Sequence, residues 1–362
     1  MRIAASPLLR RLIWLIVPVL IFWALRHAPL NGILAILMSL DPWQLGSLIA
    51  FNALALFFFP SRWWLILCAQ GEIVSYWAAL RYRMAAFTVS YFTPGSQFGG
   101  EPLQVYALHA RHQLPVDAAV ASVALDKLFE LLSNFTFLGI GAVLALYGQS
   151  NAQFPVAPVA LPTVGLLILP AVYLALVWSG RQPAGRLLDW IVQRLPFGLK
   201  SRPTLLLSLG VISASEGRIS SLLSKKPVLI LQVAASSLLI WAFSLSEYWL
   251  ALRVLGVQLN LGQTILALSA ARLAFLTPLP GGMGALEASQ VIAMQSLGVD
   301  PTFGIAVSLW IRARDLALGA LGAAIGAGLP GEVLRAQAAT QAATQFKSQK
   351  NQYLFPLRRI ER

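Results

Sequence analysis

Six stretches of the chain are apolar for long enough to cross a hydrocarbon core of about 30 Å: approximately residues 12–28, 44–68, 118–147, 158–178, 228–252 and 303–328. Each predicts a membrane-spanning helix. Two further apolar regions, about 84–110 and 263–297, are interrupted. The first breaks at SYFTPGSQFGGEPLQV (90–105) and the second at LTPLPGGMGALEAS (276–289). Proline removes a backbone donor and ends a helix, and glycine permits a tight reversal, so neither region predicts one straight span. Each is expected to be a re-entrant hairpin. A pair of short full crossings is the alternative, and it leaves the count of sides unchanged.

Basic residues decide which side each connection occupies. Arg2, Arg10 and Arg11 place the amino terminus in the cytoplasm. The connection 179–226 carries Arg181, Arg186, Arg194, Lys200, Arg202, Arg218, Lys225 and Lys226 against Asp189 and Glu216 alone, so it too is expected to be cytoplasmic. The carboxy-terminal tail, with Arg335, Lys347, Lys350, Arg358, Arg359 and Arg362, points the same way. These sides agree with six crossings only if the two broken regions return to opposite faces. The amino-terminal run begins like a signal sequence but is long and lacks a clear small-residue cleavage site, so a retained first span is expected.

The two broken regions resemble one another. PGSQFGGE (94–101) and PGGMGALE (280–287) share Pro-Gly and a glutamate seven residues after the proline. Upstream, SRWWL (61–65) matches SEYWL (246–250); downstream, DKLFELL (126–132) matches IRARDLA (311–317), and all three offsets agree within one residue. This order predicts a duplicated unit of span, broken hairpin and span, with the copies inverted because their hairpins face opposite sides. The chain then divides into an amino-terminal span and loop (1–44), a first copy (45–147), a connecting span with a basic segment (148–229), a second copy (230–328) and a basic tail (329–362). The fold class expected is an all-α polytopic membrane protein of about six full spans and two re-entrant hairpins. At the first break, the second arm is expected to start around Gly99–Pro102, its N–H groups facing a pocket where an anion such as a lipid phosphate can sit.

Composition narrows the chemistry. With 57% hydrophobic and 11% charged residues over 362 positions and a mean hydropathy of +0.70, a soluble domain is excluded. The net charge of +13 is spread through connections, where it sets topology and meets anionic lipid, and does not suggest a nucleic-acid partner. A single cysteine, Cys68, excludes an internal disulfide and multi-cysteine metal sites. Of three histidines, His109 and His112 read as interfacial, so no metal and no cofactor are expected. The segment 185–222 mixes arginines with apolar residues, and an interfacial amphipathic helix or a plain basic connector accounts for it.

Charges within the predicted membrane region are the candidate site. They are Glu101, Asp126, Glu130, Glu247, Glu287 and Asp315 with Lys127, Arg272, Arg312 and Arg314. Each costs roughly 2.5–3.5 kcal/mol at a helix centre on insertion scales, so each needs a partner inside the protein. Lys127 with Glu130, and Arg312 with Asp315, share a helix face at i, i+3 and lie about 14–18 Å into their spans. Two roles are open for these pairs: clamping hairpins to spans through Glu101 and Glu287, or lining a headgroup route. The candidate substrate residues are Pro94, Gly95, Gly99, Gly100, Glu101, Lys127, Glu130, Pro280, Gly281, Gly282, Glu287, Arg312 and Asp315, with Asp126, Glu247, Arg272 and Arg314 secondary. Arg62 and Glu247 occupy equivalent positions with opposite charge beside Trp63-Trp64 and Tyr248-Trp249, where the aromatics are expected to anchor at the membrane interface.

The blocks TPGSQFGGEPLQV, ASVALDKLFELL and LTPLPGGMGALEAS resemble the lysylphosphatidylglycerol synthase transmembrane-region family, the flippase-like integral membrane proteins. The resemblance spans about 45–328. That family usually carries Glu-Arg-x-x-Asp where this chain has Asp126-Lys127-x-x-Glu130, which keeps the order of charges but loses the bidentate arginine. The resemblance implies translocation of lipids with modified or glycan-linked headgroups. The chain stops about 34 residues after its last predicted span, so the soluble aminoacyl-transferase domain of some members, and its activity, are not expected.

A flippase for an anionic or headgroup-modified lipid in the cytoplasmic membrane is therefore the leading expectation. No Walker A motif is present, which leaves passive or ion-coupled transport. The rivals are a membrane-embedded lipid transferase, with Glu101 or Glu287 as base and Arg312 on phosphate, and a non-transporting partner of a lipid-modifying enzyme or glycosyltransferase.

Overall fold

A computed structural model describes residues 30–93, 99–147, 156–194, 203–277 and 279–327. The expected first span at 12–28, the basic tail, and Pro94 and Gly95 lie outside the described residues. The described chain is helical, with no strand: α1 (Leu30–Ser39), α2 (Pro42–Phe58), α3 (Ser61–Gln70), α4 (Tyr76–Phe92), α5 (Glu101–His112), α6 (Val116–Tyr147), α7 (Val156–Trp178), α8 (Pro183–Arg194), α9 (Pro203–Lys225), α10 (Val228–Val254), α11 (Leu261–Ala274), α12 (Ala285–Ser296) and α13 (Pro301–Ala327). Prolines open α2, α8, α9 and α13, where the missing N–H would have had no intrahelical partner. Left-handed glycines close others: Gly71 (φ 85°) after α3 and Gly180 (φ 80°) after α7.

Three described helices are long and apolar enough to cross a membrane: Pro42–Gln70, Val116–Leu146 and Val228–Val254. A fourth candidate is the bent pair Gly165–Trp178 and Pro183–Arg194, which turns through 97°. Only 22% of the apolar window of Val228–Val254 is buried inside the protein, so most of that surface faces outward. Leu231 and Leu238 are 71% and 73% exposed. A surface of this kind is stable in lipid and not in water. α13 has the length of a span but carries Arg312, Arg314 and Asp315 at its middle. In the segment 185–222, expected to be an interfacial amphipathic helix or a plain basic connector, the described residues lie in α8 and α9. These helices are tied together by Glu216, whose carboxylate accepts from the Ala184 and Gly185 N–H groups, both at 2.9 Å, and from the Tyr173 hydroxyl at 2.7 Å. Glu216 therefore caps α8 and holds the bend after α7.

Cap geometry recurs along the chain. Ser75 caps α4 by accepting from Ala78, and Asn260, 185 residues later, caps α11 by accepting from Gln263. Gly71 (φ 85°) and Gly256 (φ 89°) end the helices before them, and Gly99 (φ 126°) and Gly284 (φ 77°) precede α5 and α12. Gln113 (φ 59°), the non-glycine residue with positive φ among those described, stands where the later segment has Gly298 (φ 72°).

The packing is crossed. α4 packs on α13 and α11 packs on α6, while α5 and α12 each lie on the long helix that follows them. Along the α4–α13 contact, Thr88 donates to the Gly319 carbonyl (2.9 Å), a Cβ on Gly322 would lie 2.3 Å from the Met84 carbonyl, and one on Gly326 would lie 3.1 Å from the Ala85 side chain. Numbers rising on α4 meet numbers falling toward the start of α13 as it is followed back, so the two helices run antiparallel, and small residues let their backbones touch. The counterpart is α11 on α6, where a Cβ on Gly141 would lie 2.3 Å from Ser269 Oγ. Gly141 and Gly326 are 185 residues apart.

Candidate functional site

Between these crossed helices lies a cavity of about 300 Å³, lined from both halves of the chain. α3, α4, α5 and α6 contribute Arg62, Arg83, Glu101, Asp126, Lys127 and Glu130; α10, α11 and α13 contribute Glu247, Arg272, Arg314 and Asp315. Five cations and five carboxylates thus line one partly open cavity.

The first cluster forms because α6 runs past two arginine-bearing helices. Arg62 on α3 donates its Nε to Asp126 at 2.7 Å, and its guanidinium also lies 3.5 Å from Glu130. Arg83 on α4 bonds Asp126 and reaches Glu130 at 3.2 Å. Lys127 bridges Glu130 at 2.8 Å and Glu101 at 3.1 Å. The expected Lys127–Glu130 pair is therefore present, inside a larger network. Arg62 and Arg83, both buried, were not among the residues the sequence singled out for the site.

The second cluster sits on α13. Arg314 pairs with Glu247 and, at 2.8 Å, with Asp315, while Trp310 donates to Glu247 at 3.2 Å. The expected Arg312–Asp315 pair does not form. Arg312 turns instead to Glu287, bonding it with two nitrogens, and donates to the Gly281 and Gly282 carbonyls at 3.2 and 3.4 Å. The i, i+3 spacing puts Arg312 and Asp315 on one face but does not decide the pairing: Glu287 and the Gly281 and Gly282 carbonyls hold Arg312 at the turn, while Arg314 holds Asp315.

Each hairpin glutamate is thus held by the basic residue of the following long helix, Glu101 by Lys127 and Glu287 by Arg312. Each also accepts from a glycine N–H at the start of its own helix: Gly99 to Glu101 at 2.8 Å and Gly284 to Glu287 at 2.9 Å. α5 begins at Glu101, within the start expected around Gly99–Pro102. That helix start is filled by its own carboxylate, so its first N–H groups are not all left for a ligand. The glycines are required by space: a Cβ on Gly100 would lie 2.1 Å from the Ala86 carbonyl, and one on Gly281 2.9 Å from the Tyr91 ring.

The cavity gathers Gly100, Glu101, Asp126, Lys127, Glu130, Glu247, Arg272, Arg314 and Asp315. It does not gather Gly99, Pro280, Gly281, Gly282, Glu287 or Arg312, which form turns and the second clamp beside it. Expected interfacial anchoring beside Arg62 and Glu247 is overturned for two of the aromatics. Trp63 is fully buried and bonds Ser122, and Tyr248 is buried and donates to Gln290, because both face the packed interior where each ring's polar atom finds a partner. Among the described residues no cluster of three histidine, cysteine or acidic side chains is placed to hold a metal ion.

Outward-facing apolar helices around a ten-charge interior define a helical membrane protein with a polar central cavity. The chain belongs to the family described as Lysylphosphatidylglycerol synthase TM region, which it matches over residues 12–322. It is also 23% identical over 277 residues to a UPF0104 membrane protein of Methanothermobacter thermautotrophicus, covering 75% of this chain and 81% of that relative.

Proposed function

We propose that the protein moves the headgroup of an anionic or headgroup-modified lipid across the cytoplasmic membrane, with both termini cytoplasmic. The observation that carries this reading is the 300 Å³ cavity lined by ten charged side chains within a body whose outer surface is apolar. Such a cavity offers a charged headgroup partners while its acyl or prenyl chains stay in lipid. The recurring caps and the crossed packing support two copies related by a pseudo-two-fold axis, and the charge distribution of the connections supports their inversion. Glu101 lines the cavity and Glu287 does not, an asymmetry that one of two alternating states would have. Exchange of the two clamps, Lys127–Glu101 and Arg312–Glu287, would then carry the site from one face to the other.

The test is a headgroup-accessibility assay in proteoliposomes of the pure protein, with mass analysis of the same lipids. Protein-dependent movement of headgroups between leaflets, with lipid composition unchanged, is the expected result. Conversion of the lipid to a new species without movement would instead establish a transferase.

A further inference from the structure

Nine of the ten charged groups lining the cavity hold one another, and Arg272 stands apart. Arg62, Arg83, Lys127 and Arg314 each contact at least one carboxylate, and Glu101, Asp126, Glu130, Glu247 and Asp315 are all engaged by those four. Arg272 forms no ion pair among the described residues, and its Nε is buried without a hydrogen-bond partner. Its guanidinium lies over the Trp241 ring, 5.0 Å from the centroid, and Trp241 is stacked on Phe137 at 4.0 Å. The three layers come from α6, α10 and α11, and Trp241 and Arg272 both line the cavity. An aromatic face attracts a cation and fixes its plane but leaves the in-plane N–H donors unsatisfied.

A guanidinium at membrane depth that touches no carboxylate among the described residues, and feels Asp315, Glu247 and Glu130 only through space, is costly to keep, and an anion in the cavity would complete it. Its fork of donors fits two oxygens of a phosphate or phosphodiester better than a point charge does. We propose that Arg272, braced by Trp241, is the phosphate-binding residue of the cavity and takes the phosphate of a lipid headgroup. This rests on the transport reading above. The nine charged groups around it, four cations and five carboxylates, carry one net negative charge, and Arg272 brings the cavity to neutrality without contacting a carboxylate. The phosphate is then drawn to the lining cation that makes no ion pair among the described residues and whose buried Nε has no acceptor, and binding does not break any existing ion pair.

Arg272→Gln breaks no ion pair among the described residues, so it is expected to fold, and its melting curve in detergent is recorded as the control. The test measures binding to purified protein in detergent, by calorimetry, of four probes: dioctanoyl phosphatidylglycerol, dioctanoyl glycerol, glycerol 3-phosphate and inorganic phosphate. The proposal expects the phosphatidylglycerol to bind the unaltered protein at least tenfold more tightly than dioctanoyl glycerol, with that preference lost in Arg272→Gln and partly kept in Arg272→Lys. Stronger binding of glycerol 3-phosphate or inorganic phosphate than of the lipid, again lost in Arg272→Gln, would identify a soluble phosphate and overturn the lipid headgroup as the occupant. An unchanged preference for phosphatidylglycerol in Arg272→Gln would overturn the role of Arg272. Lipid movement in proteoliposomes is measured separately, so it stands or falls apart from this assignment.

Discussion

Arg62 and Glu247 show how single residues set the charge pattern. The helix after the first hairpin presents Asp126 and Glu130, and Arg62 answers them; the helix after the second presents Arg314, and Glu247 answers it. The opposite signs at these equivalent positions were visible in the sequence, but their cause was not, because Arg83 lies at the edge of the apolar window and gave no sign of its depth. Helical spacing sets Arg312 beside Asp315, and of the two roles the sequence leaves open for it, the contact that forms is the clamp on the hairpin through Glu287. Arg83→Ala removes one cation from buried Asp126 and half-buried Glu130, which keep Arg62, and is expected to cost up to about 3–5 kcal/mol, read as a lowered melting temperature in detergent. Arg312→Ala should be similarly harmful. Adding Glu287→Ala should restore much of the loss, whereas adding Asp315→Ala should not, since Asp315 is held by Arg314. Rescue by Asp315→Ala alone would contradict the pairing.

At the level of elements, the sequence disclosed the helices and breaks better than their ends. The arms of the two hairpins, α4 with α5 and α11 with α12, follow the expected Pro/Gly interruptions. The Glu216 cap on α8 was not legible because it joins residues over 30 apart, which local pattern does not carry. Close backbone approach makes one glycine decisive for the first hairpin. Gly100→Ala would drive a Cβ to 2.1 Å from the Ala86 carbonyl, so α4 and α5 must separate. Gly46 has nothing within 4 Å, and Gly46→Ala should be neutral or gain up to about 1 kcal/mol from helix propensity. Size-exclusion yield after detergent extraction should fall sharply for Gly100→Ala alone; equal yields would contradict the packing of the hairpin.

For the whole molecule, the proposed pair of copies draws on the order of elements and the crossed contacts, and the proposal that they are inverted concerns the membrane. Ile73 and Gln258 are exposed, 185 residues apart, in the connections leading into the two hairpins. In a Cys68→Ser background, cysteines placed singly there should label with impermeant maleimide from opposite faces; labelling from the same face would contradict the inversion. Length and apolar pattern gave the membrane class because burial in lipid acts on each span separately. The cavity was only partly legible, since it is assembled from side chains far apart in the chain whose pairing depends on how four helices cross. The central claim, movement of a headgroup by exchange of two equivalent clamps, is tested most directly by comparing Glu101→Gln with Glu287→Gln in proteoliposomes, measuring headgroup accessibility from each face. The account predicts that either change alters the rate in both directions while lipid composition stays constant. Wild-type movement in both directions by Glu287→Gln, with only Glu101→Gln impaired, would contradict it.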